Sequence, residues 1–152
     1  MMWNYLADLK AELSNIEKDS SSKENMLLEA ISNKELCLQL CIKESSWLEK
    51  RGELSVFSAL GYYQYSCGEL LDRLYKLTNN TEHQRRAIKA FEEAAESLKK
   101  LNLVSRMAEC CWEIARGYDV LSEHLRAAEN FDLSSGNYKS ASEKIPQLKD
   151  FY

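Results

Sequence analysis

A single proline and five glycines in 152 residues leave too few turn formers for an all-β chain, which needs a tight connection roughly every 8–12 residues. Long apolar stretches are missing too. The longest uncharged run, Leu54 to Gly68, carries Ser55, Ser58, Gln64 and Ser66. It falls short of the ~20 apolar residues a membrane-spanning helix requires, so it reads as a buried central helix and no membrane span is expected. Asp8 interrupts the N-terminus before a signal-peptide-like apolar run accumulates, which points to the cytoplasm. Basic charge is not in excess: 20 Lys plus Arg stand against 24 Asp plus Glu, for a net charge of −4. No segment is strongly basic, and the Arg85-Arg86 pair reads as a solvated helix start. No nucleic-acid partner is therefore expected.

Cysteine pairing has little to build on. Cys37, Cys41, Cys67, Cys110 and Cys111 are odd in number and form no CxxC pair. Zinc takes about four ligands, and His83 and His124 stand in no spacing relation to these thiols. Buried reduced thiols are the expectation. A small-ligand or metal-binding bundle using Cys37, Cys41 or the adjacent Cys110-Cys111 pair is the alternative. Catalytic signatures are also missing. There is no GxxxxGK[ST] loop, no GxGxxG after a strand and no GxSxG elbow. Neither histidine completes a Glu-x-x-His pair, because Asn80 stands three positions before His83 and Leu121 three before His124. Glu92, Glu93 and Glu96, interleaved with Lys89, Lys99 and Lys100, read as a solvated helix face. The expectation is a protein that is not an enzyme and holds no cofactor.

What the chain does contain is helical periodicity throughout. Trp3, Leu6, Leu9, Leu13 and Ile16 recur at three- and four-residue spacing as one apolar stripe. After a break at DSSSKEN, with Ser20, Ser21 or Ser22 as the cap, a second helix is predicted from Lys23 to about Arg51. Its apolar set is Leu27, Ile31, Leu38, Cys41, Ile42 and Leu48, with a candidate bend at Ser32-Asn33-Lys34. Gly52 closes it. Further helices are predicted over 53–77, 82–101, 103–121 and 123–144, separated by Asn79-Asn80-Thr81, Asn102 and Ser122. Pro146 closes the sixth, and a last turn would hold Leu148, Phe151 and Tyr152. Such short connections between long helices force antiparallel neighbours. The expected fold is one all-α domain of about six helices in antiparallel hairpins. Residues 1–52 form an N-terminal hairpin, 53–102 a first repeat-like hairpin and 103–144 a second.

Two internal echoes suggest a repeat. Ala87, Phe91 and Ala94 recur at one constant offset as Ala127, Phe131 and Ser134. Ala59, Gly61, Tyr62 and Ser66 recur at a second, longer offset as Ala115, Gly117, Tyr118 and Ser122. Taken together, they imply about sixteen extra residues inside the first unit.

The segment AECCWEIARGYDVLSEHLRAAENFDLSS resembles a tetratricopeptide repeat (TPR). Ala108 opens the unit, Ile114-Ala115 stand where that family has Leu-Gly, and Tyr118 takes its tyrosine position. Ala127, Phe131 and Ser134 follow at the Ala, aromatic and Ala places of the second helix. AAESLKKLN and AAENFDLSSGNY are also similar to the looser repeats of the soluble NSF-attachment protein (SNAP) type. Cys111 replaces the family's Trp, and Lys139 its usual proline. The resemblance implies a TPR-like right-handed superhelix, with a compact helical bundle as the alternative. It also implies that the first helix of each unit lines a groove for a partner peptide or helix. In that register Glu109, Trp112, Glu113, Arg116 and Asp119 face the groove, joined by Glu53, Val56, Leu60, Tyr63 and Gln64 of the earlier unit. The expected function is a protein–protein interaction module, a scaffold or adaptor. A self-associating bundle or homodimer is the second reading.

Overall fold

The computed structural model describes residues 2–144, and these form six helices with no strand among them. They are α1 (Met2–Ile16), α2 (Ser20–Glu49), α3 (Val56–Thr78), α4 (Thr81–Lys99), α5 (Val104–Val120) and α6 (His124–Lys144). The expected stop at Pro146 and the turn holding Leu148, Phe151 and Tyr152 lie outside the described residues. Helix boundaries follow local chemistry. Asn80 sits in extended backbone and accepts a hydrogen bond from the Glu82 amide at 3.0 Å, which starts α4. The cap of α2 is Asp19 rather than one of the three serines: its carboxylate takes the Ser22 amide at 2.7 Å, so Ser20–Ser22 lie inside the helix. Asn79, Asn102 and Ser122 adopt left-handed backbone and stop α3, α4 and α5 where the sequence placed turns. The helix α2 is continuous through the candidate bend at Ser32-Asn33-Lys34.

Each helix packs on its neighbours in the chain, so the fold grows along one direction like a stack of hairpins. Ion pairs show which helices lie side by side. Glu35–Arg86 (2.7 Å) and Glu49–Lys100 (2.7 Å) tie α2 to α4, and Arg85–Glu123 (2.9 Å) ties α4 to the start of α6. On the opposite side Arg73 of α3 donates to the Ala11 carbonyl (2.9 Å), Ser14 Oγ (2.7 Å) and Asn15 Oδ1 (2.6 Å) of α1. Even-numbered helices thus form one layer and odd-numbered helices the other. Leu27, Ala30, Ile31, Leu70, Leu71, Leu74, Ala87, Ile88, Phe91 and Ile114 fill the core between them.

The apolar stripe of the first helix does not face this core. Ala7, Ala11 and Ser14 are the buried residues of α1, whereas Leu9, Leu13 and Ile16 remain 45%, 41% and 75% exposed. Small side chains let α1 approach α2 closely, which leaves the larger residues pointing outward. Glycine plays the same part deeper in the molecule. A Cβ on Gly68 would stand 2.7–2.9 Å from the Phe91 ring, whereas one on Gly136, also mid-helix, would meet nothing within 4 Å. Gly68→Ala should therefore destabilise by about 1–2 kcal/mol, because the overpacking exceeds the gain in helix propensity. Gly136→Ala should stabilise by about 0.5–1 kcal/mol. Urea midpoints of the two variants check the opposite signs.

Candidate interaction surface

Side-chain pairs reveal how the two later hairpins correspond. Tyr65 meets Phe91 edge to face at 5.1 Å, and Trp112 meets Phe131 edge to face at 5.0 Å. Gln64 hydrogen-bonds Ser97 at 2.6 Å, and Cys111 takes the Asn137 amide at 3.8 Å. Gly61 lies against the Ala94 carbonyl, while the Ala108 carbonyl accepts from Ser134 Oγ at 2.8 Å. In all three pairs the second-helix partner shifts by the offset of the first echo: Phe91 becomes Phe131, Ser97 becomes Asn137 and Ala94 becomes Ser134. The first-helix partner shifts by a different constant: Tyr65 becomes Trp112, Gln64 becomes Cys111 and Gly61 becomes Ala108. The echo of Ala87, Phe91 and Ala94 is therefore structural, and the echo of Ala59, Gly61, Tyr62 and Ser66 is not. Gly61 packs on Leu98 of its own hairpin, but Gly117 packs on Ile88 and Gln84 of the preceding one. The difference between the two structural shifts makes the first unit longer by seven positions, not by sixteen.

That correction moves the surface of α3. Two clefts open on the odd-helix face. One, of about 490 Å³, lies between α3 and α5, with Ser58, Tyr62, Tyr63, Tyr65, Arg106 and Glu109 in its walls and Asn4 of α1 at its rim. The other, of about 370 Å³, lies between α1 and α3, with Asp8, Glu12, Tyr62, Ser66, Glu69 and Arg73. Tyr62 belongs to both. In the register that matches Tyr65 to Trp112, Glu109, Glu113 and Arg116 map onto Tyr62, Ser66 and Glu69, so these face the clefts rather than Glu53, Val56 and Leu60. Of the residues expected in a groove, Glu109 and Tyr63 line the α3–α5 cleft. Gln64 is buried against Ser97 instead. Glu113 and Arg116 pair with each other on α5 at 2.9 Å, and Asp119 pairs with His124 at 3.0 Å near the end of that helix. Trp112 leans on Phe131 and borders a separate cleft of about 580 Å³ with Ser134, Ser135 and Tyr138, at the far end of the stack. The signal for Tyr62 and Glu69 was present in the sequence, but only the aromatic pairing of Tyr65 and Trp112 sets the register that finds it.

Most charges on the odd-helix face are matched: Asp8 pairs with Lys34 (2.7 Å), Glu109 with Arg106 (2.7 Å) and Glu113 with Arg116 (2.9 Å). A small acidic excess is left in the α1–α3 cleft, where Glu12 and Glu69 face the single guanidinium of Arg73, whose hydrogen bonds go to uncharged groups of α1. Loss of solvent in the cleft, reinforced by the Glu113 carboxylate, pushes Glu69 above its ordinary value.

The thiols lie elsewhere. Burial pushes Cys67 and Cys110 up to about 12, with the charges of Glu35 and Cys111 respectively adding to it. Cys41 and Cys111 are also raised by burial. All five cysteines are free. Among the described residues no three His, Cys, Asp or Glu side chains gather into a metal site. A thiol raised in the folded state contributes stability below its unfolded value of about 9, and that contribution is lost as pH climbs from there toward 12. Unfolding midpoints should accordingly fall between pH 9 and 11. At pH 8, thiol reagents should reach Cys41 and Cys111 slowly and the buried Cys67 and Cys110 only with unfolding. Prompt labelling of Cys110 in the native state would contradict this.

Among the described residues no helix is long and apolar enough to cross a membrane. No protein-family model matches the chain, and no curated protein matches it. A solved structure described as "DHF58 filament" is similar at a TM-score of 0.57 and 21% identity. The match covers 95% of this chain and 66% of that one, just under two thirds of its length. At that identity the likeness speaks to fold alone, and the fold it supports is an all-α array of packed helices.

Proposed function

We propose that this chain is a non-enzymatic interaction module, a scaffold or adaptor that seats a basic peptide or helix along the face made by α1, α3 and α5. The observation that carries the reading is the meeting, at the half-exposed Tyr62, of a tyrosine-lined cleft between α3 and α5 with a cleft between α1 and α3 that holds Glu12 and Glu69. Tyrosine is a frequent anchor residue of interfaces, and an acidic rim steers and orients a basic partner. The corrected register favours the tetratricopeptide resemblance. It brings Cys67-Gly68 to the place of Ile114-Ala115, where that family has Leu-Gly, and Phe91 packs on that glycine. The cytoplasm is the location proposed with this role.

Selection of displayed peptides against the purified protein tests the reading. Lys- and Arg-rich sequences should be enriched, and the Glu12→Lys/Glu69→Lys variant should bind them at least tenfold more weakly. Enriched peptides that bind this variant and Tyr62→Ala as well as the parent would remove the odd-helix face as the site. Self-association is the second reading. It is favoured by the exposed Leu9, Leu13 and Ile16 of α1 and fits the description of the similar structure as a filament.

A further inference from the structure

The outward face of α1 has counterparts inside the molecule. Met107, Cys110, Ile114 and Gly117 are the residues by which α5 stacks on the preceding hairpin. Met107 and Cys110 pack with Ala94, Ala95 and Leu98, Ile114 joins Ala87, Ile88 and Phe91, and Gly117 lies against Ile88. Leu6, Leu9, Leu13 and Ile16 share that spacing on α1. The hairpin-facing positions correspond as well: buried Ala7 and Ser14 of α1 match buried Ala108 and Ala115 of α5. In α1, therefore, the stacking face exists, with Leu6 partly buried and Leu9, Leu13 and Ile16 exposed.

The opposite end of the stack carries the matching receptor. On hairpin α3–α4, Tyr65, Ala94, Ala95 and Leu98 surround Met107 and Cys110 of the next helix. In the register that matches Tyr65 to Trp112 and Phe91 to Phe131, that site becomes Trp112, Ser134, Ser135 and Tyr138. Among the described residues this is the open cleft of about 580 Å³. Trp112 is 47% exposed there.

We propose that a second copy of this chain docks α1 on the α5–α6 end of the first, continuing the internal stacking from one molecule to the next. This rests on the self-association reading and specifies its geometry. Side-chain sizes are complementary in the antiparallel arrangement of α4 and α5. Ile88 against Gly117 inside the chain becomes Ala128 against Ile16 across the junction, the large and small members trading places. Leu98 against Met107 becomes Tyr138 against Leu6. Packing of this kind tolerates such swaps when the total volume is kept. The contact joins two different surfaces, so it is heterologous and propagates without a fixed end unless rotation closes a ring.

Complementation between two variants tests the pairing by sedimentation equilibrium over a wide concentration range. Leu9→Glu/Leu13→Glu spoils the head, and Ala128→Arg/Ser135→Arg spoils the tail. All four positions are exposed, so circular dichroism and thermal midpoints should match the parent. The parent should show a mass that rises with concentration past the dimer. Each variant alone should stay monomeric, with association weakened at least tenfold, while an equimolar mixture should form a dimer and nothing larger. Leu9→Ser/Leu13→Ser provides a milder head variant with the same expected readout. A parent that is monomeric throughout, as when residues 145–152 of the same chain occupy the cleft, would overturn both stacking and self-association. A parent that associates while the tail variant associates equally well would leave self-association standing and overturn the head-to-tail geometry. That result would point to α1 pairing with α1.

Discussion

Phe91→Ala should lower the stability of the folded chain by about 3–5 kcal/mol, the range for deleting a fully enclosed aromatic ring. The ring is 1% exposed. It lies on the face of Gly68, meets Tyr65 edge to face, and shares the core with Ile114 of the following hairpin. An empty ring-sized space there cannot collapse easily, because both helices of its hairpin are already held against further neighbours. The corresponding residue gives the contrast. Phe131 occupies the same place on α6 but is only half-buried, since no described helix stacks beyond it. Phe131→Ala should cost about 1–2 kcal/mol, in keeping with partial burial. Urea denaturation of both variants at equal slope measures the difference. Equal losses would mean that the internal hairpin is no better sealed than the terminal one, and the stacking picture would fail.

The two phenylalanines also mark how much of the molecule was legible in the sequence. Helix number, hairpin order and the echo of Ala87, Phe91 and Ala94 followed from periodicity, because a second helix must turn these residues onto its partner whatever lies around it. The register of the first helices did not follow. Gly61-Tyr62 and Gly117-Tyr118 are the same dipeptide doing different jobs, one glycine closing a hairpin and the other receiving the helix before it. Identity of letters cannot separate those roles; the aromatic partners of Tyr65 and Trp112 can. The stripe on α1 misled for a related reason. An apolar face marks a surface meant for burial, and periodicity does not say whether the cover comes from the chain itself. Within α1 the buried positions went to alanine and serine, which carry almost no periodic hydrophobic signal.

Lys34 was invisible to any pattern of apolar residues, yet its side chain is fully buried in α2 and its environment predicts the second large effect. Its ammonium pairs with Asp8 at 2.7 Å, donates to the Asn4 side-chain oxygen, and lies 5.5 and 5.8 Å from the ring centres of Tyr62 and Tyr63. This cage joins α1, α2 and α3. Removing one member of a buried pair strands the other, at a cost well above the net worth of the pair itself. Asp8→Ala leaves the buried ammonium without its carboxylate and should cost about 2–3 kcal/mol, less than the ~3–5 kcal/mol of a fully enclosed pair because the carboxylate is 46% exposed. Lys34→Met keeps the volume and leaves a carboxylate that water can reach, so it should cost no more than about 1 kcal/mol. The double variant should then resemble Lys34→Met alone, which makes the two changes strongly non-additive. Strict additivity would show that Asp8 and Lys34 do not support each other. The expected coupling has a second consequence. Asn4, Asp8 and Tyr62 border the two clefts, so Asp8→Ala, which leaves the Lys34 charge unmatched, should loosen α1 and weaken capture of a basic peptide, and Lys34→Met in the same chain should restore the fold and remove that unmatched positive charge.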